Sequence, residues 1–326
     1  MKPARRRFLG LTGAALVGPA VVRQSSAQTY PTRPVRMVVP VAAGGANDTT
    51  ARLFAQKLSE VLGQQFYVEN VPGVGGNLGI ANAARAAPDG YTLLAAGGNF
   101  VINPSLYAKV PYDVEKDFAP VSLMCSSPHV LAVHPSLPAA TVNDFIALAK
   151  GKPGELSYGS AGRGTPAHLA GEMMKLAFGL DLIHVPFSGG GPAITSTLGG
   201  HTPTIMSALP TALPYAKAGT IRPLAMISRR RSALLPDVAT MGEATGTELE
   251  ADIVTGLVVP AGTPAAIVEV LHRAVTSVVA PAEFRERLAN LGFEPVASTP
   301  AHFAEWMRSE IDKWAKVIRD GNIGLQ

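Results

Sequence analysis

The chain has 326 residues, is 47% apolar and 16% charged, and carries a formal net charge of +4. Lys2, Arg5, Arg6, Arg7 and Arg23 lie in the first 27 positions, where there is no acid; the remaining 23 basic residues face 24 acidic ones. The body of the chain is therefore near −1, which removes the case for a nucleic-acid or anionic-membrane partner, and Arg229-Arg230-Arg231 is too short a basic run to restore it.

The N-terminal segment Ala4-Arg5-Arg6-Arg7-Phe8-Leu9-Gly10 resembles a twin-arginine export signal. An apolar stretch over 11–22 follows, and Ser25-Ser26-Ala27 offers a small-x-small cleavage site. The stretch is too short, and too rich in Gly and Ala, to span a bilayer as a stable helix. Residues 1–27 are expected to be a removed leader and the mature chain to work in the periplasm. One cysteine, Cys125, excludes an intrachain disulfide; its apolar surroundings predict a buried, inert thiol.

Past the leader, short apolar runs alternate with helical patterns, which predicts an α/β fold with largely parallel sheets. A buried strand over 35–41 leads to a helix in which Phe54, Leu58, Val61 and Leu62 share a face, stopped by Gly63. A strand over 66–69 is followed by the Gly-rich loop 72–76 and a small-residue helix ending near 87. Asp89-Gly90 turns the chain into a third strand over 91–96. Strands over 118–124 and 130–133 are separated by Ser126-Ser127-Pro128, and Thr141 with Asp144 fits a capping box. Further strands are expected at 156–158, 182–185, 204–206 and 224–227, alternating with helices near 165–178, 192–199 and 211–218. A late strand over 253–259 precedes helices near 264–279, 282–291 and 299–320. The last is amphipathic through Phe303, Trp306, Ile311, Trp314 and Ile318.

The two sets of strand-helix units predict two lobes. Residues 28–127 and 255–326 would form one and 128–254 the other, with chain crossings near 125–129 and 252–255. Two crossings make a hinge and a cleft.

Ligands in such sheets bind at the carboxyl ends of strands. Four Gly- and polar-rich clusters fall there: Ala43-Gly44-Gly45-Ala46-Asn47-Asp48, Gly97-Gly98-Asn99-Phe100, Gly159-Ser160-Ala161-Gly162-Arg163-Gly164-Thr165, and Ser188-Gly189-Gly190-Gly191. Glycine admits close backbone approach, and a helix N-terminus adds N–H donors and partial positive charge. Together they suit an anion, most simply a carboxylate.

Enzyme templates fail. Gly73-x-Gly75 is followed by Leu78 where a dinucleotide fingerprint needs glycine, and there is no phosphate-loop lysine motif or G-x-S-x-G elbow. His168 and Glu172 share a helix face, but no third or fourth zinc ligand is near in sequence. His129, His134, His184 and His201 are read as structural. No cofactor or metal is expected.

These motifs resemble the Bug-type receptors of tripartite tricarboxylate transporters. The blocks that carry the likeness run from 39–48, with Ala51-Arg52, through 68–77, 87–93 and 102–107. They continue in 156–162, His168-Leu169-Ala170-Gly171-Glu172 and His184-Val185-Pro186-Phe187. The resemblance implies a two-lobed, Venus-flytrap fold of the type II binding-protein class, with a small carboxylated ligand between the lobes. It places one carboxylate between the loop Ala43 to Asp48 and the loop Gly97 to Asn103, partly through bridging water. Ser160, Gly162, Arg163, Thr165, Ser188, Gly189 and Gly190 would close on the rest.

This chain departs from the family pattern twice. Gly97, Gly98 and Asn99 stand where the family often has small hydroxyl residues. Ser207-Ala208 stand where it often has Asp-Asn, so an ammonium group on the ligand would lack one counter-charge. The expected function is a monomeric periplasmic receptor that presents an organic acid to a transporter or a sensor. The alternatives are an extracytoplasmic enzyme acting on a small acid, against which the missing catalytic constellation counts, and the effector domain of a transcription factor, for which no DNA-binding segment is present.

Overall fold

The first part of the chain folds into β1 (Val35–Val39), α1 (Ala46–Leu62), β2 (Phe66–Asn70), α2 (Asn77–Ala84), β3 (Thr92–Ala96), α3 (Gly98–Leu106) and β4 (Phe118–Ser127). The middle carries β5 (His129–Val133), α4 (Val142–Gly151), β6 (Ser157–Ser160), α5 (Pro166–Phe178), β7 (Ile183–Pro186), α6 (Gly190–Leu198), β8 (Thr204–Ala208), α7 (Leu209–Lys217), β9 (Arg222–Ile227) and α8 (Met241–Thr245). The chain ends with β10 (Ile253–Pro260), α9 (Ala265–Val279), α10 (Ala282–Asn290), β11 (Glu294–Pro295) and α11 (Pro300–Asp320). These elements come from a computed structural model that describes residues 30–324; the expected leader lies outside the described residues.

Two sheets result, ordered β11-β4-β10-β3-β1-β2 and β7-β6-β8-β5-β9. Each holds a parallel core, β2-β1-β3 in the first and β7-β6-β8 in the second. Neither is parallel throughout, which corrects the expectation of largely parallel sheets. β10 runs antiparallel to β3 and β4, and β5 runs antiparallel to β8 and β9. The reason is topological: β4 and β10 carry the chain out of and back into the first sheet, so they run in opposite directions side by side. Their pairing extends to Ser127 opposite Ile253. Pro128 alone separates β4 from β5, so the expected three-residue connection is shorter than read.

Helix ends follow their local chemistry. Gly63, left-handed at φ 69°, stops α1, and Thr141 with Asp144 forms the capping box of α4. α3 and α8 went unseen in the sequence; α3 begins on glycine and contains Pro104, both helix-breaking signals. α2 ends at Ala84, three residues earlier than expected. On α11, Phe303, Trp314 and Ile318 are buried and Trp306 and Ile311 partly so, as its period predicts. Gly256, in the centre of β10, leaves room for that face: a Cβ there would lie 2.1 Å from Phe303 Cζ.

Cys125 is fully buried on β4, and burial pushes its thiol up to about 12, so it is inert at neutral pH. No single helix among the described residues is long and apolar enough to cross a membrane.

Candidate functional site

Five parallel strands deliver helices to one cavity. β1 leads to α1, β3 to α3, β6 to α5, β7 to α6 and β8 to α7. The N-terminal residues of all five helices, or the residues just before them, line a cavity of about 540 Å³, a size suited to a small-molecule ligand. Ala43, Gly44, Gly45, Ala46 and Asn47 contribute from the first loop, with Gly97, Gly98 and Asn99 from the third strand's end. Thr165, Ser188, Gly189, Gly190 and Ser207 contribute from the second sheet's side. These thirteen belong to the set read from the sequence.

The N-terminal ends supply the chemistry. The residues capping α1, α3, α6 and α7 are Gly45, Gly97, Gly189 and Ala208, and none offers a side-chain cap. Only α5 is capped, by the Thr165 hydroxyl. Uncapped first turns leave N–H donors seeking an acceptor, and the aligned peptide dipoles favour negative charge there. Gly189 has φ 145° and ψ 170°, a conformation closed to residues with a Cβ, and this lets the loop present its backbone to the cavity.

Among the described residues, no Asp, Glu, Lys or Arg side chain lines the cavity. The lining residue with a titratable side chain is His129, and burial, outweighing its bond to Ala251, holds its pKa down to about 4. The imidazole is neutral at physiological pH. An anion here meets backbone dipoles, amides and hydroxyls rather than a counter-ion.

Six sequence-read residues do not line the cavity. Asp48 turns back beneath the first loop, where its carboxylate accepts the Gly44 N–H at 2.8 Å, Arg52 Nε at 3.1 Å and Asn70 Nδ2 at 2.8 Å. It braces the loop, and Gly45 holds the N-cap position of α1. Burial raises its pKa, but the bonds from Arg52, Gly44 and Asn70 prevail and hold it below the usual carboxylate value. Phe100 is core, stacked on Tyr112 and edge-on to Phe118. Asn103 is buried, donating to the Gly75 carbonyl at 3.0 Å and to Asn77 Oδ1 at 2.7 Å. Gly162 is used internally, its carbonyl accepting the Thr165 hydroxyl at 2.7 Å. Arg163 is exposed outside the lining.

Ser160 is the largest departure. It is 0% exposed, and its Oγ lies 2.7 Å from His184 Nε2 and accepts the Gly162 N–H at 3.2 Å. His184 in turn stacks on His168 at 3.9 Å between centroids, and His168 Nδ1 accepts the Gly164 N–H at 3.1 Å. Glu172 shares the helix face of His168, 3.9 Å from its Nε2, and accepts hydrogen bonds from Tyr158 at 2.6 Å and Lys175 at 3.0 Å. This cluster fixes the loop from β6 to α5 from below. Ser160→Ala is therefore expected to leave ligand affinity within about twofold and to cost about 1 kcal/mol of stability, the net worth of one hydrogen bond. Calorimetry and urea melts of the variant check both; a tenfold loss of affinity would return Ser160 to the site.

The structure adds lining residues that sequence reasoning missed. His129, Ile253 and Val254 come from the two chain crossings, Thr211 from α7, and Ile205 and Met206 from β8. The crossings themselves were legible. A lone histidine in an apolar strand carries no signal that it faces a cavity.

Two sheets of α/β units joined by paired crossing strands, with helix N-termini around an uncharged cavity between them, define a two-lobed solute-binding protein. Residues 50–323 match the tripartite tricarboxylate transporter family receptor. Protein BugT of Bordetella pertussis is 34% identical over 322 residues, spanning 98% of this chain and 99% of BugT. Among solved structures, an R. palustris protein with adipate is 33% identical, with a TM-score of 0.84 over 91% of this chain and 100% of that one. MatC from Rhodopseudomonas palustris, with bound malate, is 32% identical, with a TM-score of 0.79 over 89% of this chain and 100% of MatC. The chain belongs to the tripartite tricarboxylate transporter receptor family.

Proposed function

We propose that this protein is a periplasmic receptor that captures a small carboxylate between its two lobes and presents it to a tripartite transporter or a sensor. The observation that carries the reading is the convergence of five helix N-termini, four without a side-chain cap, on a cavity that no acidic side chain lines among the described residues. Relatives solved with malate and adipate support the same ligand class. Residues 28–127 with 255–326, and 128–254, act as the closing lobes, hinged where β4 passes to β5 and where the chain returns to β10. Export through the N-terminal leader brings the mature chain to its ligand.

The ligand carries no ammonium group. Ser207 and Ala208 bring no acid to the cavity wall, and the Asp48 carboxylate is committed to Gly44, Arg52 and Asn70. A buried ammonium ion would have no partner, and an unpaired buried charge is costly. A thermal-shift screen followed by calorimetry is expected to find dicarboxylates, tricarboxylates or aromatic acids bound at least tenfold more tightly than aspartate and glutamate. Tighter binding of either amino acid would overturn the ligand class.

A further inference from the structure

His129 is 1% exposed, yet it lines the cavity where β5 leaves the first crossing. Strand register sets it opposite Ala208 on β8 and Ile227 on β9. Its Nδ1 is hydrogen-bonded to the Ala251 carbonyl on the returning crossing. A carbonyl can only accept, so Nδ1 carries the hydrogen; a neutral imidazole has one, and Nε2 is left as an acceptor. No hydrogen bond reaches Nε2 from the described residues. Its cavity neighbours Met206, Ala208, Ile253 and Val254 offer no side-chain donor, and the Ser207 hydroxyl is turned to the Ala208 carbonyl at 3.2 Å.

A second lining residue, Asn47, also carries an unpartnered acceptor. Asn47 Nδ2 donates to the Ala95 carbonyl at 3.2 Å, which fixes the amide's orientation. Asn47 Oδ1 is buried with no partner. The cavity thus combines helix N-termini that suit a carboxylate with an unpartnered imidazole nitrogen that repels one and calls for a donor.

We propose that His129 is a specificity-determining residue that selects hydroxy acids, its Nε2 accepting a hydrogen bond from a hydroxyl on the ligand. The inference rests on the carboxylate reading above and narrows it. A hydroxyl suits the place better than an ammonium group because it brings no charge to a cavity lined by no acid. An acid lacking the hydroxyl leaves Nε2 desolvated and unpaired, a penalty of about tenfold to a hundredfold in affinity.

Calorimetry with matched pairs tests this: malate against succinate, 3-hydroxybutyrate against butyrate, and 4-hydroxybenzoate against benzoate. For at least one pair, wild-type protein is expected to bind the hydroxylated member at least tenfold more tightly. H129F should lose that preference while still binding the deoxy acid. Equal affinity within every pair, or a preference that survives in H129F, overturns the inference. Should H129F not fold, 15N spectra of the wild-type imidazole decide. The His129 Nε2 resonance must move with the hydroxy acid and stay with its deoxy partner, and the absence of that difference is equally fatal. Failure of every acid to bind would instead strike the carboxylate reading itself, an outcome distinct from binding without hydroxyl preference.

Discussion

Gly98→Leu is expected to reduce ligand affinity at least a hundredfold, about 2.7 kcal/mol, while leaving a folded protein. Gly98 opens α3 on the first sheet's side of the cavity and faces Pro166, the first residue of α5 on the other side. A Cβ at Gly98 would lie 2.7 Å from Pro166 Cγ and 3.7 Å from Ile102 Cδ1. The proline ring has no rotamer by which to withdraw, so the two rims must part. Leucine adds three carbons beyond that Cβ, inside the space the ligand needs. Parting the rims relieves the clash at little cost to either sheet, so the melting temperature should stay within a few degrees of wild type. Calorimetry and thermal melts of the same preparation separate the two effects. Wild-type affinity would mean that the rims do not close on the ligand at this point.

Asp48→Ala is expected to cost about 2–3 kcal/mol of stability, near the upper range for hydrogen bonds to a charged group, and to weaken ligand binding about tenfold by loosening the loop. Removing the carboxylate, itself 3% exposed, leaves the Gly44 N–H without its acceptor and the Asn70 amide with the Val41 carbonyl alone. Arg52 is half exposed and re-enters water, which is why the figure is not larger. The loss carries a pH signature. Asp48 has a folded pKa below its unfolded one, so its contribution is complete above the unfolded value, about 3.9, and fades as pH falls through the folded value. Urea melts should show a full gap between wild type and variant at pH 6–7 that narrows below about pH 4. A gap independent of pH would mean that Asp48 acts through packing rather than charge.

Much of this architecture is legible in the sequence because strand-loop-helix order is local. The valine run of β1, the period of α11 and the capping box at Thr141 each declare themselves within a few residues. The antiparallel strands do not, since β4 and β10 meet across more than a hundred positions and direction is set by that meeting. The cavity was legible at the level of loops but not of side chains. Backbone-presenting positions such as Gly45, Gly98 and Gly189 follow from where a helix starts. Ser160, Asp48 and Asn103 sit in the same short stretches, yet their side chains turn inward to His184, Arg52 and Asn77. Which way a polar side chain turns depends on partners remote in sequence. His129 is the converse case, a histidine with ordinary surroundings in the chain that the two crossings bring to the cavity.

Capture of a carboxylate by helix N-termini is tested most plainly by a crystal structure of the mature protein with the tightest-binding acid of the screen. Carboxylate oxygens are expected within about 3.2 Å of backbone N–H groups, or of waters held by them, at the N-termini of α1, α3, α6 or α7, with no Lys or Arg side chain in contact. A carboxylate bound to Arg163, or outside this cavity altogether, would contradict it.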